Sequence, residues 1–117
     1  MLAESMTIAH KELRPGITVV EITGAITMGQ DCDRLGKEFD DLLAQKTTRI
    51  ILDLSRVHRV DSSGIGRIVL CFSKLKKQGG QLRIAGATGM VANVLKMTTV
   101  DKILGVYSTP DDAADGL

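Results

Sequence analysis

One short segment of the sequence concentrates side chains that could take part in chemistry. Asp61, Ser62 and Ser63 precede Gly64 and Gly66, and six residues separate Asp61 from a strongly apolar run that ends at Leu54. A serine hydroxyl can act as a nucleophile or accept a phosphoryl group, and aspartate and serine also cap helix N-termini, which is worth about 1 kcal/mol. Capping does not explain the two glycines, since each costs up to about 1 kcal/mol relative to alanine within a helix. We therefore expect another molecule to approach the backbone here.

Catalytic and cofactor-binding motifs do not fit this segment. Gly64 and Gly66 lack the third glycine of a dinucleotide fingerprint, no glycine-rich loop carries the lysine of a P-loop, and the Gly-x-Ser-x-Gly nucleophile elbow is missing. The two histidines and two cysteines have no metal-ligand spacing. A Ser62–His58–Asp53 triad can be written, so a small serine hydrolase stays open as the least favoured alternative. We predict no catalytic residue, no metal and no cofactor.

The composition indicates one globular domain, residues 1–117. Hydrophobic residues make up 44% and charged residues 25% of the chain, as in ordinary globular proteins. The formal net charge is +1 and aromatic residues are 3%, so the chain lacks the basic surplus and the rings of a nucleic-acid binder. We predict that nucleic acid is not a partner.

Cysteine usage and hydropathy indicate a cytoplasmic protein. Cys32 and Cys71 lie in apolar helical patterns and fit reduced, buried thiols. The first ten residues lack the basic start and apolar run of a signal peptide. No apolar stretch approaches the roughly 18–20 residues of a membrane span, so we expect no direct insertion into a membrane.

The elements that must position the segment are predicted from hydrophobic periodicity. Residues 6–11 and 17–23 read as two strands of a hairpin around Pro15-Gly16. Gly24 is expected to end the second strand, and residues 25–30 to form a loop into a helix. Residues 49–54 predict a buried strand, from which residues 57–60, including His58, lead as a loop to the next helix.

The rest of the chain alternates helices with strands. Apolar stripes predict helices from Asp31 and after Ser62, the second ending at Gly79-Gly80. Residues 81–85 and 103–107 predict strands, separated by a helix capped by Thr88, and Pro110 begins a short last helix. This order predicts an α/β fold with a mixed, mostly parallel sheet of four to five strands, an N-terminal hairpin and covering helices.

The order of elements and the string Asp-Ser-Ser-Gly-Ile-Gly at 61–66 resemble the STAS family, specifically the small bacterial anti-sigma factor antagonists. The resemblance covers nearly the whole chain and includes the strand ending in Gly24, the strand at 50–54, the segment 76–80 and the segment 97–104. It implies a single STAS domain.

The resemblance also implies a phosphorylation switch. In such antagonists the serine directly after the aspartate, here Ser62, is phosphorylated by a partner that is both anti-sigma factor and serine kinase. The unphosphorylated form binds that partner and releases the sigma factor, and a metal-dependent serine phosphatase resets the switch. Members often carry an aspartate shortly after the glycine that ends the second strand, where this chain has Thr27. A constitutive STAS subunit of a membrane transport complex for lipids or anions is the alternative.

The predicted partner surface combines the motif with the loop after the second strand. Its residues are Thr27, Met28, Asp61, Ser62, Ser63, Gly64 and Gly66. Ser63 is the alternative phosphorylation site, and we expect its hydroxyl to be occupied by capping bonds at the helix start.

Overall fold

A computed structural model describes residues 6–117, so the first five residues of the predicted domain lie outside the described residues. The elements, numbered in chain order, are β1 (Thr7–Arg14), β2 (Ile17–Ile26), α1 (Gln30–Ala44), β3 (Arg49–Val60), α2 (Ser62–Lys77), β4 (Gln81–Ala85), α3 (Gly89–Met97), α4 (Val100–Ile103), β5 (Gly105–Tyr107) and α5 (Pro110–Ala114).

The five strands form one sheet in the order β1-β2-β3-β4-β5. β1 and β2 are antiparallel, and each later strand runs parallel to its neighbour. The predicted mixed sheet with an N-terminal hairpin is therefore confirmed. Because α1, α2 and the α3–α4 segment each connect parallel strands, every helix starts near the edge where the preceding strand ends, and that edge is the usual place for a binding site.

The helices cover the two faces of the sheet unequally. α1, α2 and α3 bury an apolar stripe against one face, represented by Phe39, Ile68 and Leu95. A smaller cluster on the other face joins β2, β3 and β4 to α5; its buried members are Ile17, Val19, Ile51, Ala85, Ala113 and Ala114. Since side chains alternate between the faces of a strand, the apolar run at 50–52 is buried from both sides, as predicted.

Two predicted strand ends were wrong, and both corrections concern the site. β2 continues through Gly24 to Ile26, and β3 continues to Val60, so His58 lies in a strand and not in a loop. The extensions pair with each other, with Ile26 opposite Val60, and the register shifts beside Gly24, whose φ is +105°. Glycine adopts this angle at little cost, so β2 continues past Gly24. The extra residue of the bulge lies on β3, because consecutive Gly24 and Ala25 pair with Val57 and Arg59.

The C-terminal part differs from the prediction in one respect. Residues 100–103 form the short helix α4, so the last strand begins at Gly105 and not at Ile103. The Leu104 N–H donates to the carbonyl of Val100, which keeps this segment helical until the strand begins. Cys32 and Cys71 are buried free thiols, as predicted. Within residues 6–117, no helix combines the length and the apolar character needed to cross a membrane.

Candidate functional site

The site is organised by the carboxylate of Asp61, at the junction between β3 and α2. Its Oδ1 accepts the N–H of Gly64 at 2.8 Å, as an N-cap does, and its Oδ2 accepts the N–H of Met28 at 3.0 Å. One side chain therefore caps α2 and also holds the β2–α1 loop against the start of that helix.

The same hydrogen bonds stabilise the charged form of Asp61. The N–H of Gly64 lowers the pKa of this carboxyl most, partial burial opposes the effect, and the N–H of Met28 lowers the pKa further. Donors that point at a carboxylate favour its ionised form. Asp61 is therefore a fixed negative charge beside Ser62.

Ser62 and Ser63 are the first two residues of α2, and both are exposed. Neither hydroxyl forms a hydrogen bond within residues 6–117. The expectation that capping bonds occupy Ser63 was wrong, because Asp61 performs the capping. Both residues are therefore accessible from solvent, and Ser62 is the first residue of the helix.

Thr27 lies at the end of β2 and is tied to the start of α1. Its hydroxyl and its N–H both donate to Oδ2 of Asp31, at 2.8 and 3.3 Å. The resemblance places an aspartate at position 27, and here Asp31 provides a carboxylate in contact with the residue that replaces it. The sequence placed Asp31 only at a helix start, so its link to the site had not been recognised.

The two glycines of the motif have different structural reasons. A Cβ on Gly64 would collide with the carbonyl oxygen of Ile26 and lie 2.9 Å from a methyl of Val60. Gly64 is buried and is required by contact with β2 and β3, so internal packing accounts for this glycine, and its contact with a partner stays a prediction. A Cβ on Gly66 would meet nothing within 4 Å, so this position is open to another molecule.

An open groove of about 450 Å³ runs beside the two serines, between the start of α1 and the first half of α2. Met28 is 76% exposed at one side and Leu70 is 45% exposed at the other. Ser63 and Gly66 also line the groove. Leu70 was missed by the sequence analysis, although an apolar residue outside the buried stripe of α2 is the signal that identifies it.

A loose ion pair spans the groove between α2 and α1. Nη2 of Arg67 lies 3.7 Å from Oδ1 of Asp33, so α2 and α1 are connected along this side. Cys32 also lines the groove, and burial is the main cause that raises the pKa of its thiol, which donates to the carbonyl of Thr27 at 3.2 Å. The groove therefore has an apolar rim and a compensated pair of charges.

The sequence model of the STAS domain matches residues 9–113. The chain belongs to the STAS domain family. It is 31% identical over 77 residues to a protein of Thermotoga maritima named as an anti-sigma factor antagonist, covering 66% of this chain and 68% of that one. It is 23% identical over 99 residues to the anti-sigma F factor antagonist of Paenibacillus polymyxa, covering 84% of each.

Solved structures share the STAS fold. The crystal structure of the anti-sigma factor antagonist from T. maritima has a TM-score of 0.84 at 24% identity, covering 92% of each chain. Phosphorylated SpoIIAA of Bacillus has a TM-score of 0.72 at 16% identity, covering 93% of this chain and 97% of that one. A sulfate transporter family protein from Wolinella succinogenes has a TM-score of 0.77 at 24% identity, covering 90% and 87%. At these identities the likeness is one of fold.

The STAS domain does not assemble the serine triad that the sequence allowed. Asp53 and His58 are five residues apart in strand β3, so their Cα atoms are separated by up to about 16 Å along the strand. The Asp53 carboxylate instead accepts the N–H of Ser55 at 3.0 Å. Asp53 therefore cannot orient His58 as a base for Ser62.

The other predicted site residues do come together in this STAS domain. Asp61 contacts Met28 and caps the helix that carries Ser62 and Ser63, while Gly66 opens the adjoining groove. Within the described part of the chain, no group of three or more histidine, cysteine, aspartate or glutamate side chains is placed to hold a metal ion.

Proposed function

We propose that this STAS domain is a cytoplasmic anti-sigma factor antagonist. Its unphosphorylated form binds an anti-sigma factor that is also a serine kinase and thereby releases the sigma factor. Phosphorylation of Ser62 ends this binding, and a metal-dependent serine phosphatase restores it. The names of the sequence relatives support the general function. The surface around Ser62 supports its assignment as the switch.

The observation that carries the proposal is the accessibility of the Ser62 hydroxyl at the start of α2. The capping position is already filled by Asp61, so Ser62 has no structural task that a modification would disrupt. The exposed Met28 and the groove beside Ser63 lie next to it. A partner seated there covers the modified oxygen.

Within the isolated domain, phosphorylation of Ser62 is expected to have a small effect. The phosphate brings about 1.5–2 negative charges and three acceptor oxygens to a helix N-terminus, where negative charge is favoured. Attraction to the helix dipole is worth about 0.3–1 kcal/mol and opposes repulsion from Asp61. The fold is therefore expected to persist.

Within an interface the balance is different. A partner packed along Met28, Ser63 and Gly66 has to strip water from the phosphate and to approach Asp61 at the same time. A penalty of about 3–4 kcal/mol lowers affinity roughly 100- to 1000-fold. The same phosphate is therefore nearly silent in the free domain and decisive in the complex.

The test is incubation with the purified cognate anti-sigma factor kinase and ATP, followed by intact mass measurement. We expect a mass increase of about 80 Da, one phosphoryl group, which is lost in Ser62→Ala and retained in the matched control Ser63→Ala. Ser62→Asp should unfold thermally like the unmodified domain but fail to bind the kinase. Unchanged mass with an active kinase, or full binding by Ser62→Asp, would reject the switch.

The same experiment addresses the alternative of a constitutive subunit of a membrane transport complex. The presence of Thr27, where an acidic residue is expected, favours that function, which requires no phosphorylation. The contact of Thr27 with Asp31 weakens this argument, because a carboxylate is present at the loop. A chain that is never phosphorylated and that co-purifies with a transporter ATPase would select the alternative.

A further inference from the structure

A second groove lies at the opposite end of α2 from Ser62. The helix has 16 residues, and Lys76 is about 20 Å along its axis from Ser62. The groove, of about 600 Å³, is bounded by the end of α2, the start of β4 and the segment before β5. It exists because β5 pairs only with Arg83–Ala85, so within the described chain Gln81 and Leu82 have no strand beside them on that side.

The charges that line this groove are positive. Lys76 and Arg83 line it, and no aspartate or glutamate does. Neither side chain forms an ion pair with a carboxylate within residues 6–117, whereas Lys74, on the same helix, lies 3.1 Å from Asp40. Nη1 of Arg83 donates to two backbone carbonyls, which fix its position without neutralising it.

Apolar and aromatic side chains line the groove together with the two cations. Ile103 is 53% exposed at the rim, and Phe72 is partly buried beside it. Nζ of Lys76 is 5.5 Å from the centre of the Phe72 ring, and the Arg83 guanidinium is 5.3 Å from the centre of the Tyr107 ring. Each cation is therefore held over an aromatic ring, which presents paired apolar and positive positions.

We propose that this groove docks an acidic, extended segment of a partner protein. Carboxylates of the segment pair with Lys76 and Arg83, and an apolar side chain of the segment packs on Phe72 and Ile103. Uncompensated charge at a surface selects partners of opposite sign, and a concave lining suits a peptide better than a flat lipid surface. The proposal does not depend on Ser62, because the two surfaces occupy opposite ends of the domain.

The test is NMR titration of the 15N-labelled domain with a twelve-residue peptide of glutamate and leucine in a two-to-one ratio, at physiological salt. We expect shifts of the Gly79, Gly80 and Gly105 amides, while the Ser62 and Ser63 amides stay unchanged. Lys76→Glu should weaken binding by at least about tenfold. The matched control Lys96→Glu makes the same charge change on α3, outside the groove, and should alter affinity less than about twofold.

Other outcomes overturn the proposal. If a peptide with alanine in place of leucine binds with the same affinity, binding depends on charge alone and the apolar lining of the groove does not contribute. Shifts at Ser62, or shifts spread over all basic residues, show no second site. Binding to vesicles of phosphatidylcholine with phosphatidylserine, reduced by Lys76→Glu, in the absence of peptide binding, shows a lipid surface instead. Lys76 and Lys96 are both exposed, so we expect both variants to fold. Their spectra verify this before the titration.

Discussion

At the scale of single residues, the site depends on how one carboxylate divides its hydrogen bonds. Asp61 accepts one N–H from the helix that follows it and one from a loop far away in sequence. The second bond joins Met28 to the start of α2, so the apolar rim of the groove and the exposed serines keep a constant relative position. The residue that caps the helix thus also holds one side of the groove in place.

Replacing Asp61 with asparagine is expected to weaken this arrangement in a pH-dependent manner. Asparagine has one acceptor oxygen, so the N–H of either Gly64 or Met28 loses its partner, at a cost of about 1 kcal/mol in the free energy of unfolding. Because hydrogen bonds hold the folded pKa of Asp61 below its ordinary value, its charge stabilises the fold fully above about pH 4. That contribution is lost as the pH falls through the lowered folded pKa.

Urea unfolding of the two proteins between pH 7 and pH 2.5 measures this difference. The gap between the original chain and Asp61→Asn should be constant at neutral pH and shrink in acid. Asp33→Asn is the control, since Asp33 is exposed and makes only the loose contact with Arg67. A gap that persists unchanged to pH 2.5 contradicts the role of the charge.

At the scale of elements, the first half of α2 combines a close contact with the sheet and an open surface. Its first turn packs so closely on the end of β2 that Gly64 has no room for a side chain. Two residues later, on the other side of the helix, Gly66 faces open space beside the groove. The first glycine therefore serves the fold, and the second keeps a surface flat.

Alanine substitutions at the two glycines are expected to have opposite effects on stability. Gly64→Ala forces a methyl against the Ile26 carbonyl and should lower the free energy of unfolding by about 1–3 kcal/mol. Gly66→Ala meets nothing and should raise it by about 0.5–1 kcal/mol through helix propensity. Urea unfolding measures both.

Measuring the affinity of Gly66→Ala for the anti-sigma factor separates the proposed role of Gly66 in binding from its effect on the stability of the helix. On the proposed function, Gly66→Ala should be more stable and yet bind the anti-sigma factor less well, because the methyl projects beside the groove. Equal binding would remove Gly66 from the partner surface. Gly64→Ala with unchanged stability would contradict the close contact between α2 and β2.

At the scale of the whole molecule, a sheet with two buried faces is closed by one short helix on its second face. α5 has only five residues, and its buried Ala113 and Ala114 cover Ile51 and Ala85. Arg83 anchors this helix through the carbonyls of Ala113 and Asp115, at 2.9 and 2.8 Å. Hydrogen bonds from a charged donor thus replace the apolar area that a longer helix would bury.

Two arginine substitutions test how α5 is held. Arg83→Met leaves two carbonyls without their donor and should lower the free energy of unfolding by about 1–2 kcal/mol. Arg14→Met removes exposed ion pairs with Asp115 at 3.0 Å and Asp111 at 3.8 Å and a hydrogen bond to the Asp111 carbonyl at 3.3 Å. Because these contacts are exposed, it should cost less than about 1 kcal/mol, with the effect screened at high salt. Urea unfolding with and without 1 M salt, about a 3 Å screening length, measures both. A larger cost for Arg14→Met would contradict this account.

Local patterns in the chain were sufficient for the class of fold. The turn at Pro15-Gly16, the apolar run at 50–52 and the helical stripe of α2 each reflect a period or a backbone preference that acts over a few residues. Strand ends were not predictable in this way. The polar residues at 55, 56, 58 and 59 concealed the second half of β3, which is a strand because it pairs with the end of β2.

For the site, the sequence by itself determined which residues are present and in what order, namely an aspartate, two serines and two glycines at the start of a helix. Only the tertiary structure decided what each one does. Asp61 reaches Met28, Gly64 is pressed against β2, and Gly66 is open, because β2 and β3 run side by side to the same edge of the sheet. Contacts between residues more than thirty positions apart depend on the packing of strands and helices, and local sequence patterns carry no record of that packing.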